Sequence, residues 1–81
     1  FLQSHVFVGE LSLEGLLRPV KGVLSMALMA KEQGFSGIVV PQANAKEACL
    51  VEGLCVYALE SLAEALALLE RPDAFQVRHN A

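Results

Sequence analysis

Two basic side chains are the first candidates for chemistry in this 81-residue sequence. Arg18 and Lys21 flank Pro19-Val20, where they can form a small basic spot for a partner or for nucleic acid. A solvated loop is the alternative interpretation, because two charges are a weak electrostatic footprint. Glu10 is expected to face Arg18 across a hairpin, as an exposed cross-strand ion pair. The formal net charge of −3 does not favour a nucleic-acid-binding protein.

The histidines and cysteines are expected to be structural. His5 and His79 lie at opposite ends of the chain with no Cys, Asp or Glu at ligand spacing, so we expect surface histidines and no metal site. Cys49 and Cys55 lie in apolar stretches without a C-x-x-C motif. This pattern indicates reduced, buried thiols of a cytoplasmic protein rather than nucleophiles or a disulfide. No catalytic residue is expected in this chain.

Nucleotide chemistry is not expected either. No segment matches the phosphate-binding pattern G-x-x-x-x-G-K-[ST], so this chain by itself is not expected to bind or hydrolyse ATP. Gly34-Phe35-Ser36-Gly37 is too short to hold a phosphate and is predicted to be a helix stop followed by a turn. We therefore expect no cofactor in this chain.

The first half of the chain is predicted to form a β-hairpin, a helix and a strand. Residues 5–13 end in an alternating pattern, Glu14-Gly15 makes a two-residue break, and residues 16–20 return. A helix over 23–33 has a narrow polar side, so we expect it to be buried on more than one side. The β-branched run 37–41 is typical of an interior strand.

The second half is predicted to alternate between helices and strands. Asn44 and Glu47 resemble a capping box that begins a helix ending at Gly53, and residues 54–58 follow as a strand. Ser61 and Glu64 form a clearer capping box. The helix after it is expected to turn four residues toward the core: Leu62, Ala65, Leu66 and Leu69.

This order of elements predicts an α/β fold, an α+β two-layer domain with helices packed on a sheet. The accessory domain is expected to span residues 1–70 and to be incomplete at its N-terminus, with residues 71–81 as a linker or tail. The reason is the apolar content of 54%, which exceeds the roughly 45–50% of ordinary domains. No apolar run approaches the roughly 20 residues of a membrane span, so we expect a cytoplasmic protein with no membrane contact.

Residues 7–69 resemble the N-terminal domain of the YifB/ComM family of magnesium-chelatase-like AAA+ ATPases. The motifs that support this resemblance are Phe7-Val8-Gly9-Glu10-Leu11-Ser12-Leu13-Glu14-Gly15, Leu17-Arg18-Pro19-Val20-Lys21-Gly22, Val39-Val40-Pro41, Ala43-Asn44-Ala45-Lys46-Glu47-Ala48, Leu50-Val51-Glu52-Gly53 and Val56-Tyr57. The resemblance implies a non-catalytic, Lon-like accessory domain. The parent would be a hexameric ATPase that uses ATP and magnesium in DNA processing, of the type involved in competence. The partners it implies are the ATPase module, further copies of the protein and DNA.

Two alternatives remain within the same resemblance. The first motif also resembles the proteolytic domain of Lon, which works with a Ser–Lys dyad. The position of the dyad lysine corresponds to Leu24 here, and a leucine cannot act as a base. The segment that would contain the serine lies upstream of Phe1. The second alternative is a DNA-binding module similar to the Lon-like domain of the RadA repair protein, with Arg18 and Lys21 as its contacts.

Overall fold

The structure is a computed structural model that describes residues 4–71 and 78–79. It contains three α-helices, Val23–Glu32 (α1), Ala45–Ala48 (α2) and Leu62–Glu70 (α3). The six strands are His5–Phe7 (β1), Glu10–Leu11 (β2), Leu17–Arg18 (β3), Gly37–Pro41 (β4), Cys55–Leu59 (β5) and Arg78–His79 (β6). A 3₁₀ turn, Gln42–Asn44, joins β4 to α2. The mixed α/β fold with helices packed on a sheet is confirmed.

The main sheet has the strand order β1-β4-β5-β6. Strands β1 and β5 both pair in parallel with β4, and β6 pairs antiparallel with β5. All five residues of β4 are buried, as the β-branched run predicted. Strand β6 lies within residues 71–81, where the sequence predicted a linker or tail, and the rest of that segment beyond residue 71 lies outside the described residues.

Side chains alternate between two cores on the two faces of the sheet. The first core joins Ile38, Val40 and Val56 of the sheet to α1 and α2. The second core joins Val39, Tyr57 and Leu59 to Leu68 of α3. Because neighbouring residues of a strand point to opposite faces, α3 lies on the face opposite α1 and α2. The fold therefore has three layers, with helices on both faces of the sheet, rather than the two layers that the sequence predicted.

The first predicted strand is divided between two sheets. Strand β1 belongs to the main sheet, and the Val8 N–H still bonds to the Val39 carbonyl at 2.9 Å. After Gly9 the chain leaves the sheet and forms the separate hairpin of β2 and β3. The prediction of one continuous strand over 5–13 was wrong. Beyond the end of β4 the chain has no partner in the main sheet, so the alternating leucines of the hairpin do not turn toward its cores. Leu13 is fully exposed at the hairpin tip.

The hairpin turn uses three residues rather than the predicted two. The Gly15 N–H bonds to the Ser12 carbonyl at 3.0 Å, and the Leu16 N–H bonds to Ser12 Oγ at 3.1 Å. Gly15 has φ of 83°, which a side chain would disfavour. The break predicted at Glu14-Gly15 is therefore present, with Leu13 added to the turn.

Helix α3 begins as the sequence predicted but buries a different residue. Ser61 Oγ accepts a hydrogen bond from the Glu64 N–H at 3.2 Å, which confirms the cap. Leu68 is fully buried, whereas Leu62, Leu66 and Leu69 are 42%, 54% and 37% exposed. The predicted inward face was wrong for these three leucines.

Replacing Ser61 with alanine is expected to lower the free energy of unfolding by about 1 kcal/mol, because the Glu64 N–H loses its acceptor. Urea denaturation followed by circular dichroism measures the loss. Ser61→Asp is the matched control, since it retains a capping oxygen and should stay within about 0.5 kcal/mol of the parent chain. Equal losses in both variants would show that the cap is not what Ser61 provides.

Among the residues that the structure describes, no helix combines the length and the apolar character needed to cross a bilayer.

Candidate functional site

The carboxyl ends of the parallel strands are where open α/β sheets usually bind ligands. Here a segment of the chain itself lies across the ends of β4 and β5. We name it the strap, residues 15–20. The Leu17 N–H bonds to the Glu60 carbonyl and the Leu62 N–H bonds to the Gly15 carbonyl, both at 2.8 Å. These bonds attach the strap to the loop that follows β5.

Asn44 attaches the other end of the strap. Its side-chain oxygen accepts from the Val20 N–H, and its Nδ2 donates to the Val20 carbonyl, each at 3.0 Å. Asn44 is only 7% exposed, and it makes no side-chain capping bond to α2. The predicted capping box at Asn44 was therefore wrong, because both polar atoms of the amide are used by Val20. Helix α2 also ends earlier than predicted, at Ala48.

Arg18 and Lys21 are both exposed, Arg18 within the strap and Lys21 directly after it. Arg18 is the register partner of Glu10 in the hairpin, as the sequence predicted, but among the described residues no ion pair joins their side chains. It lines a cavity of about 410 Å³ together with Glu10 and Glu14, so its surroundings are acidic. Lys21 precedes α1 and does not line that cavity. Of the two predicted contact residues, the structure thus places Arg18 beside this acidic cavity and Lys21 outside it.

Leu24 lies in the first turn of α1, where the Lon-type lysine would be required. It is half-buried and packs against the first core. Lys31 lies near the opposite end of α1, where its Nζ donates to the Glu52 carbonyl. The described residues therefore place an apolar contact, and no amine, at the position that would hold the base.

His5 is more enclosed than the sequence predicted. Its ring is half-buried and lies edge-on to Tyr57, with the ring centroids 5.5 Å apart, and its Nδ1 is 2.8 Å from Ser4 Oγ. A Cβ on Gly37 would lie only 2.6 Å from the ring, so the glycine makes room for the histidine. The expectation of a surface histidine was wrong for His5, and the side chain of His79 lies outside the described part of the chain. No signal in the sequence linked His5 to Tyr57.

The cysteines lie on opposite faces of the sheet. Cys49 packs against the first core and Cys55 against the second, and no disulfide joins them. Both are half-buried rather than buried as the sequence predicted. Within residues 4–71 and 78–79, no group of three acidic, histidine or cysteine residues is arranged to hold a metal ion.

The segment Gly34–Gly37 ends α1, as the sequence predicted. Gly34 has φ of 86°, and the Phe35 N–H bonds to the Ala30 carbonyl at 3.0 Å, which is the pattern of a glycine-terminated helix. The N–H groups of Gly34 and Phe35 bond to carbonyls of α1, and those of Ser36 and Gly37 bond to the Ser4 carbonyl before β1.

An apolar groove of about 220 Å³ separates β1 from α1. Val6, Met26, Met29 and Phe35 are among its lining residues. On the same helix, Met26, Leu28 and Met29 are 36%, 48% and 57% exposed. The expectation that α1 is buried on more than one side was wrong for the described chain, and its outer side is an apolar surface.

Comparison with known proteins identifies a family. A family model described as subunit ChlI of Mg-chelatase matches residues 1–44, which include the strap, Leu24 and Asn44. The uncharacterized proteins Mb2921c of Mycobacterium bovis and Rv2897c of Mycobacterium tuberculosis are each 44% identical to this chain over 63 residues. The matched segment is 78% of this chain but only 12% of each relative.

Proposed function

The chain belongs to the family of the ChlI subunit of Mg-chelatase, and on that basis we propose that it is a non-catalytic accessory domain of an AAA+ ATPase of the ComM type. Its role is positional: it packs against the ATPase module, supports assembly of a homo-oligomeric ring and guides DNA toward the motor. The observation that supports this role most directly is the strap, whose backbone is bonded to the segments that follow β4 and β5.

The position of Leu24 supports a domain without peptidase activity. A Ser–Lys dyad needs an amine whose lone pair can accept the serine proton, and a half-buried leucine offers none. Packing of Leu24 against the first core gives that side chain a structural role instead. The Lon-like peptidase is therefore the weaker alternative.

ATP and magnesium belong to the ATPase module of the parent protein in this proposal. The described glycine segment that could approach a phosphate, Gly34–Gly37, is a helix terminator. When bound to the ATPase module, ATP would supply the free energy for ring movements. The accessory domain would transmit or restrain those movements through its packing surfaces, without contacting the nucleotide.

The apolar outer side of α1 is the proposed packing surface toward the rest of the full-length protein. Contiguous apolar surface of this kind marks an interaction site more often than a solvent-facing one. Its chemistry suits a protein neighbour, while Arg18 and Lys21 are the proposed contacts with DNA. We place the parent protein in the cytoplasm.

A direct test compares the 81-residue chain with the full-length parent protein. We expect no ATP hydrolysis by the chain above the rate in protein-free buffer, and clear hydrolysis by the parent, measured as phosphate release. A fluorophosphonate serine probe is expected to leave this domain unlabelled in the parent, as detected by mass spectrometry of its peptides. ATP turnover that persists in the purified chain, or probe labelling within it, contradicts a non-catalytic domain.

The positional role has its own readout. Deleting this segment from the parent is expected to leave nucleotide binding intact but to reduce ring assembly, measured by sedimentation, or DNA-stimulated hydrolysis. A deletion protein that matches the parent in binding, assembly and stimulation would refute the proposal.

A further inference from the structure

Helix α3 presents a row of leucines to solvent. Leu62, Leu66 and Leu69 are 42%, 54% and 37% exposed, while Leu68 holds the helix on the sheet. Residues that are three or four positions apart lie on one face of a helix, one above the other. This is also the spacing of the seam through which one helix packs on another. We name Leu62, Leu66 and Leu69 the leucine stripe.

An apolar groove extends the leucine stripe toward the hairpin. Leu62 and Ala65 of α3 line a cavity of about 240 Å³ together with Leu11 and Leu17 of the hairpin. Leu62 belongs to both the stripe and the groove, so the apolar surface is continuous from α3 to the hairpin. Contiguous exposed apolar surface of this kind marks a site of interaction with another protein segment.

The hairpin end of this apolar surface meets an acidic cavity. Leu11 lines the groove and also the cavity of about 410 Å³ that contains Glu10, Glu14 and Arg18. Both glutamates are exposed. A segment bound in the groove would therefore extend past two carboxylates at this end.

The helix itself adds further negative charge beside the stripe. The Glu64 carboxylate accepts a hydrogen bond from the Glu60 N–H at 2.7 Å, which fixes a negative charge at the start of α3. Glu70 is exposed and directly follows Leu69. It also lies one turn beyond Leu66, so its side chain is a neighbour of the stripe on the helix surface.

The net charge of the chain is concentrated in this layer. Residues 10–18 and 60–71, which contain the hairpin and α3, include five glutamates and two arginines. Residues 19–59 include three glutamates and three lysines and are therefore balanced. The formal net charge of −3 equals that of the hairpin and α3 together. A leucine surface with a negative border is complementary to an amphipathic helix with a positive border.

We propose that the leucine stripe and the groove beside it bind an amphipathic helix with a basic border, and that this helix belongs to the same full-length protein. The matched segment is only 12% of each relative, so most of such a protein lies outside these residues. The inference rests on the proposed accessory role. It adds a second packing surface, on the face of the sheet opposite α1. Apolar side chains of the bound helix pack on the leucines, and its lysines or arginines lie over the glutamates.

The first test measures fluorescence anisotropy of a labelled synthetic helix with the 81-residue chain. The probe consists of leucine and lysine, with the leucines at seam spacing. The matched probe has glutamate in place of every lysine. We expect the lysine probe to bind and the glutamate probe to bind at least about tenfold more weakly, because like charges would then face each other. The difference should shrink as salt is added.

Variants of the chain locate the binding surface. Leu66→Ala is expected to weaken binding of the lysine probe about tenfold, since it removes apolar contact area. Its folding should hardly change, because the side chain is half exposed. Glu70→Lys should weaken binding about threefold. The matched controls are Leu28→Ala and Glu32→Lys, which make the same changes at exposed positions of α1 and should bind as the unchanged chain does.

The second test asks whether the full-length protein covers α3. Leu66→Cys is introduced into the 81-residue chain and into the parent, and both are treated with a maleimide. We expect the new cysteine to react at least about tenfold more slowly in the parent, because the bound helix shields it. Gln42→Cys is the control, since Gln42 is exposed away from α3 and should react equally fast in both proteins. Mass spectrometry of the peptides separates these cysteines from Cys49 and Cys55.

Four outcomes overturn the inference. Absence of binding by the lysine probe removes the surface as a helix-binding site, and equal affinity for the two probes removes the basic border of the partner. An equal loss in Leu28→Ala would place binding on α1. If Leu66→Cys reacts as fast in the parent as in the chain, no helix of the parent covers α3. The accessory role would still stand in that case, because it is tested separately by deleting the whole segment.

Discussion

Replacing Leu68 with alanine is expected to lower the free energy of unfolding by about 3 kcal/mol. Leu68 is fully buried and is the α3 residue in the second core, where it packs with Val39, Tyr57 and Leu59. Alanine would leave a cavity between the helix and the sheet, and the lost contacts add to the lost transfer free energy. Urea denaturation measures the change, and the melting temperature should fall by roughly 10–20 °C.

Leu66→Ala is the matched control, because it makes the same chemical change two residues earlier. Leu66 is 54% exposed, so its truncation should change the free energy of unfolding by less than about 0.5 kcal/mol. The sequence pattern predicted Leu66 among the inward residues and did not include Leu68. A larger loss in Leu66→Ala than in Leu68→Ala would restore that pattern and contradict the observed orientation of α3.

Replacing Asn44 with alanine is expected to cost about 2–3 kcal/mol. The substitution removes both bonds to Val20 and leaves its N–H and carbonyl without their side-chain partners. Unsatisfied polar groups are costly where water cannot replace the lost partner, and Val20 is half-buried. Urea denaturation gives the total loss. Hydrogen exchange of the Val20 amide reports the loss of stability at the strap itself, and the protection of this amide should fall toward that of an open loop.

The neighbouring Gln42→Ala serves as control for this second substitution. Gln42 is exposed in the same 3₁₀ turn, so this substitution truncates an amide side chain without removing the two bonds between Asn44 and Val20. We expect a change below about 0.5 kcal/mol and normal protection of Val20. If Asn44→Ala also left Val20 fully protected, the strap would be held by its other contacts rather than by Asn44.

Local patterns predicted the elements whose partners are near in sequence. The strand Gly37–Pro41 has the predicted bounds, since its residues are all apolar or glycine and its β-branched run suits a pleated interior. The Ser61 cap joins residues three positions apart, so a short motif was enough to find it. The same holds for Gly34, which ends α1 through bonds to the preceding turn.

Apolar patterns failed where they left several equivalent choices. Four leucines lie within residues 62–69, so the helical period alone could not select the inward one. The position of Leu68 opposite Val39 and Tyr57 decided it. In the same way, Leu11 and Leu13 alternate correctly for a half-buried strand, but the chain has already left the main sheet, and both are more than half exposed.

The sequence by itself determined the alternation of strands and helices, the glycine and serine positions that end or begin them, and the absence of a nucleotide-binding motif. Each of these depends on backbone conformation within a few residues. Only the tertiary structure decided that residues 15–20 lie across the ends of β4 and β5 and that Asn44 binds Val20 rather than capping its own helix. The physical reason is that an amide side chain forms hydrogen bonds with whichever polar backbone group is buried beside it. For Asn44 that group belongs to Val20, 24 residues earlier, and only the folded chain brings the two together.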